Sequence, residues 1–113
     1  DTGLTALSSA CASGSLANLT KLDLSYNKIG DAGITAFADA IGTSGSLRQL
    51  LIIWLDSNQI KDPGFTETSR QIASGSLANL KTLSFGGNNI SDSVKDTCTM
   101  KTASKARNIS VNF

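Results

Sequence analysis

The sequence predicts an α/β stack of coils, each coil one strand followed by one helix, and three observations predict it. First, Leu19, Leu22, Leu24, Asn27 and Ile29 recur as Leu50, Ile53, Leu55, Asn58 and Ile60, then as Leu80, Leu83, Phe85, Asn88 and Ile90, at a spacing of about 30 residues. Second, residues 12–19 are identical to residues 73–80, and residues 43–50 are a looser copy of both. Third, the apolar period changes within each unit, from two residues to three and four, as it does where a strand gives way to a helix. A unit of this size cannot cover its own apolar side, so it must be stacked against its neighbours.

The chain opens with Leu4, Leu7, Ser8 and Cys11 after Gly3, the offsets of one helix stripe. Leu22 and Leu24 then share one face of a strand. Ile34, Phe37, Ala38 and Ile41 follow Gly33 at the offsets of a second amphipathic helix. Ile53 and Leu55 repeat the strand. A helix over residues 65–72 comes next, with Pro63 placed where its fixed φ and missing N–H suit a first turn. Its stripe includes Thr68 and Ser69, whose hydroxyls can bond to carbonyls one turn back. Leu83 and Phe85 form the third strand pair, and Ser91-Asp92-Ser93 is a capping signal for a helix that turns Val94, Thr97 and Cys98 inward. Residues 108–113 read as a last strand with Ile109 and Val111 inward.

Together these give one domain over residues 1–113, with repeats at 16–46, 47–76 and 77–105 between partial units at 1–15 (helix only) and 106–113 (strand only). The pattern L-x-x-L-x-L-x-x-N-x-I resembles the leucine-rich repeat in its longer, ribonuclease-inhibitor-like strand/helix form. That resemblance implies a curved right-handed solenoid with a parallel sheet on the concave face and helices on the convex face. No pair of titratable groups is arranged for acid and base work, so the expected role is a non-enzymatic module that binds another protein.

Asn27, Asn58 and Asn88 have a physical role in such a stack. Each stands where the chain leaves its strand, and the backbone groups of that bend are turned away from water. A side-chain amide carries both donors and an acceptor, so a column of asparagines can satisfy those groups and link one coil to the next.

Composition narrows the chemistry. The formal net charge is +1, no basic run occurs, and aromatic residues make up only 5% of the chain, so the electrostatic footprint of a nucleic-acid binder is missing. No apolar run approaches the roughly 18 residues that span a bilayer. The sequence contains no histidine, which removes the usual general base and the commonest metal ligand. Asp56 to Asp62 with Glu67 echoes a calcium loop, but Ile60 takes a ligand place and Lys61 replaces the glycine of the turn. Neither a catalytic residue, a metal site nor a cofactor is therefore expected. Cys11 and Cys98 fall on inward helix positions and read as small hydrophobes rather than a disulfide. Asn-x-Ser/Thr matches at Asn18, Asn89 and Asn108 barely exceed the chance number and do not establish secretion; the residues leave the address unknown, with a weak lean to an intracellular or organellar one.

The residues between the inward strand positions should face outward: Lys21, Asp23 and Ser25, Ile52, Trp54 and Asp56, Thr82, Ser84 and Gly86, then Asn108, Ser110 and Asn112. Most are small or polar, and Ile52 and Trp54 stand out. Trp54 admits two readings, a contact centre for a partner protein rimmed by Lys21, Asp23 and Asp56, or a half-exposed ring leaning over its neighbours. A separate alternative is a structural subunit of a larger, organellar complex, docked through its helices and open ends or cut from a longer repeat array.

Overall fold

In a computed structural model, residues 3, 4, 7, 18–44, 47–97 and 99–113 are described. Coil 1 comprises β1 (Lys21–Asp23) and α1 (Asp31–Ser44), and coil 2 comprises β2 (Ile52–Trp54) and α2 (Asp62–Ala73). Coil 3 comprises β3 (Thr82–Ser84), α3 (Asp92–Thr97) and α4 (Thr99–Arg107), and β4 (Ser110–Asn112) follows. The strands form one parallel sheet in chain order, with Lys21, Ile52, Thr82 and Ser110 in register. Parallel neighbours need a long crossover, and the helices supply it.

The strands are three residues long because only a short extended segment lies between the lead-in leucine (Leu19, half-buried, or Leu50 and Leu80, buried) and the turn. Ile53 and Leu83 are flanked by strands on both sides and are almost fully buried, whereas Leu22 and Val111, each flanked by one, are half-buried. The core runs between sheet and helices through Leu50, Leu55, Leu80 and Phe85 on one side and Ile34, Phe37, Phe65 and Ile72 on the other. Each such side chain contributes about 1.5–3 kcal/mol when removed from water. Leu4 joins this core and Leu7 packs against it; Ser8 and Cys11 lie outside the described residues.

Helix α1 buries Ile34, Phe37, Ala38 and Ile41, the stripe expected from their spacing. Helix α2 starts at Asp62 rather than near Phe65, because Pro63 sits inside its first turn instead of before it. Thr68 Oγ1 donates to Gly64 O (2.9 Å) and Ser69 Oγ to Phe65 O (2.8 Å), so two hydroxyls lie in the core without an unmet bond. Gly64 allows α2 to rest on α1, since a Cβ there would stand 2.6 Å from Ile34 Cγ2 and 2.6 Å from Asp31 Oδ1.

The last helical region begins at Asp92, where the capping signal places it, and α3 and α4, on either side of residue 98, carry it on to Arg107. Val94 packs against the core as expected, while Cys98 and the side chain of Thr97 lie outside the described residues. The final strand is shorter than residues 108–113 because Asn108 has φ +57° and the Ile109 N–H still bonds back to Ser104 O (2.8 Å). Arg107 closes the end of α2 from the neighbouring coil: Nη1 donates to Ile72 O (2.7 Å) and Ser76 O (2.7 Å), and Nη2 to Leu77 O. Helix ends leave carbonyls without partners, and a cation there also opposes the helix dipole.

Two leucines carry a repeated strain. Leu47 (φ +57°) and Leu77 (φ +56°) occupy the same place in successive coils, each accepting a bond from the N–H of the next coil leucine, Leu50 or Leu80. A left-handed leucine is unfavourable, and burial of its side chain at 0% and 5% exposure offsets that cost.

Candidate functional site: the outward face of the sheet

At the inward edge of each turn the asparagines do unequal work. Asn58 is 7% exposed, and its Oδ1 accepts from the N–H of Asn27 (2.9 Å) and of Ile29 (2.9 Å) in coil 1. Its Nδ2 donates to Leu24 O (2.9 Å) across the junction and to Leu55 O (3.0 Å) in its own coil. Asn88 Oδ1 likewise accepts from the Ile60 N–H (3.1 Å), and its Nδ2 donates to Leu55 O (2.8 Å) and Phe85 O (2.9 Å). Asn27 is exposed, and among the described residues its amide donates to Ser25 O (3.1 Å) in its own coil.

A second set of inter-coil bonds runs the other way. Asp31 Oδ1 accepts from the N–H groups of Lys61 (2.8 Å) and Gly64 (3.1 Å) at the start of α2. Asp62 accepts from the Ser91 N–H (2.8 Å) and the Ser91 hydroxyl (2.7 Å) ahead of α3. Those bonds hold the Asp62 carboxyl below its usual range, the backbone bond from Ser91 being the larger cause. Each carboxylate meets N–H groups that a helix N-terminus leaves without partners. The sequence carries a signal for this that is easily passed over: Asp31, Asp62 and Asp92 each stand four residues after an asparagine of the column.

The outward face is not uniform. Lys21 and Asp23 on β1 are exposed; Ile52, Trp54 and Asp56 on and after β2, and Thr82 on β3, are half-buried. Ser84 was expected to face solvent and is instead 8% exposed. Its hydroxyl donates to Asp56 Oδ1 (2.6 Å), which also accepts from the Gly86 N–H (2.7 Å). A side chain on Gly86 would obstruct this, because a Cβ there would lie 2.8 Å from Asp56 Oδ1. Outward-facing Asn108, Ser110 and Asn112 are exposed.

Between coils 1 and 2 the face sinks into a shallow depression lined by Asp23, Ser25, Tyr26, Trp54 and Asp56. Tyr26 is 80% exposed and was missed from the sequence, since it follows the strand rather than lying on it. It has φ +61°, as Ser57 (+55°) and Gly87 (+71°) have at the same place in the next two coils. The turn imposes this conformation, and the Tyr26 N–H donates to Asp56 O (3.0 Å) to hold it. Asp23 Oδ1 accepts from the Ser25 N–H (3.0 Å), the first cause of its lowered pKa, so this carboxyl is ionised at neutral pH.

On the helix side, Glu67 and Arg70 form an exposed ion pair (2.6 Å), and Gln71 links Glu67 to Asp39 on α1. A hydrogen bond with Glu67 is the main cause that raises Asp39 above its ordinary value, while Arg70 is the main cause that lowers Glu67. Surface networks of this kind add little to stability. No helix among the described residues is long and apolar enough to cross a membrane.

Comparison with known proteins agrees with this architecture. The family model described as leucine-rich repeat matches residues 15–38 and 76–93. No match was found among the curated proteins. Strand–helix coils stacked in one parallel sheet, two of them matched by that model, give the chain the fold of an α/β solenoid of the leucine-rich-repeat type.

Proposed function

We propose that this chain is a non-enzymatic protein-binding module and that its contact surface is the outward sheet face centred on Trp54, with Lys21, Asp23, Ile52, Asp56, Thr82 and Ser84 around it. Leucine-rich repeats point to protein interaction as the general role. One observation carries the choice of face: Trp54 and Tyr26 line the same depression, while the other outward strand positions, Ile52 apart, carry small or polar groups. Aromatic side chains gain most when a partner covers them, and tryptophan and tyrosine are enriched where binding energy concentrates.

A photo-cross-linking residue at Thr82, on the sheet face, and another at Thr66, exposed on α2, would locate the partner in native extract. Cross-links from Thr82 and not Thr66 support the reading. The reverse would support the scaffold alternative, in which the helices dock into a larger complex. With the captured protein in hand, Trp54→Ala should weaken binding by about 2 kcal/mol, roughly thirtyfold. Unchanged affinity with an intact fold would reject the assignment.

A further inference from the structure

We propose that the depression between coils 1 and 2 receives an arginine side chain of the partner, its guanidinium lying against Trp54 and Tyr26 and bonded to the carboxylates of Asp23 and Asp56. This deepens the protein-binding reading and rests on it.

The lining is Asp23, Ser25, Tyr26, Trp54 and Asp56, two carboxylates and two aromatic rings with no basic side chain among them. Lys21 lies on the same face two residues before Asp23, in register with Ile52, and is not part of the lining. The ion pairs among the described residues join Arg70 to Glu67 and Lys95 to Asp92, so neither Asp23 nor Asp56 has a counter-ion there. For Asp56 this matters because it is half-buried, and both hydrogen bonds that its carboxylate makes among the described residues fall on Oδ1. The second oxygen keeps its acceptor capacity for a ligand.

The groups are also held in place before anything binds. Asp56 is fixed by Ser84 and Gly86, Asp23 by the Ser25 N–H, and the Tyr26 backbone by Asp56 O. Trp54 lies on a strand paired on both sides. A rigid site loses less entropy on binding. An arginine suits it better than a lysine, because a planar guanidinium can stack on a ring while its fork of N–H donors reaches carboxylates at its edge. Nucleic acid would bring phosphate toward two carboxylates and is disfavoured by the same charges.

Trp54 is the single tryptophan of the chain, so its fluorescence reports this site alone. The probe is a five-residue peptide with one central arginine and both ends blocked, titrated at low salt beside its lysine and citrulline counterparts. The arginine peptide should shift the Trp54 emission saturably and bind on the order of tenfold more tightly than the citrulline peptide, which keeps the shape and lacks the charge. The advantage should shrink at high salt and disappear in Asp23→Asn. Equal binding of the arginine and citrulline peptides, or none by either, would overturn the proposal. Such a failure, with cross-links from Thr82 still formed, would remove the arginine site and leave the protein-binding reading standing. Loss of the cross-links would remove that reading itself.

Discussion

The two complete junctions of the stack use the same backbone register and treat their outward faces differently. Between coils 2 and 3, Asp56 reaches forward to the Ser84 hydroxyl and the Gly86 N–H, and the face is closed by its own side chains. Between coils 1 and 2, the position in register with Ser84 is Trp54, and the position matching Gly86 is Asp56. Asp23 there bonds within its own turn, and a depression with aromatic walls remains. On the inward side both junctions are tied alike, by an asparagine reaching back and an aspartate reaching forward. The inward positions are bound by the geometry of stacking, and the outward positions are left to vary.

The sharpest way to break this comparison is at the inward side. Asn58→Ala removes the partner of the Asn27 and Ile29 N–H groups and of the Leu24 and Leu55 carbonyls. At about 1–3 kcal/mol for each buried group left unpaired, urea unfolding should show a loss of about 3 kcal/mol or more. Asn27→Ala, at the same repeat position, should stay within about 0.5 kcal/mol, because that side chain is exposed and, among the described residues, bonds within its own coil.

Asp31→Ala should cost about 1 kcal/mol in the same measurement, the scale of a lost helix cap, with faster amide exchange at Lys61 and Gly64. Gly86→Ala would make the second junction more like the first by displacing the Asp56 carboxylate from its place against the Gly86 N–H. A cost of about 1 kcal/mol is expected, with lost exchange protection at that amide. The smallest effect is that of pH on Asp62. Its folded pKa lies below the unfolded one, so its contribution is present above the unfolded value and is lost as pH falls through the folded value. Stability followed from neutral to acid pH should lose that component of its slope in Asp62→Asn.

Much of this arrangement could be read from the residues. Inward strand and helix positions repeat in kind, so the coil, its core and the parallel sheet follow from Leu22, Ile53 and Leu83 with their companions. The outward face was harder to read. Alternation places Ser84 outside, and only the neighbouring coil shows that Asp56 covers it. Tyr26 lies just past the strand, where period-2 reasoning ends and the left-handed turn begins. Arg107 binds carbonyls of the preceding coil, and nothing in its local sequence points there.

Native-state hydrogen exchange on Asn58→Ala tests most directly whether one coil supplies what its neighbour lacks. The amides of Asn27 and Ile29 lie in coil 1, about 30 residues before the substitution, and both donate to the side chain that it removes. They should become unprotected, while Leu83, at the centre of β3, loses no more protection than the fall in global stability seen in urea. Unchanged protection at Asn27 and Ile29, with losses confined to coil 2, would contradict the account.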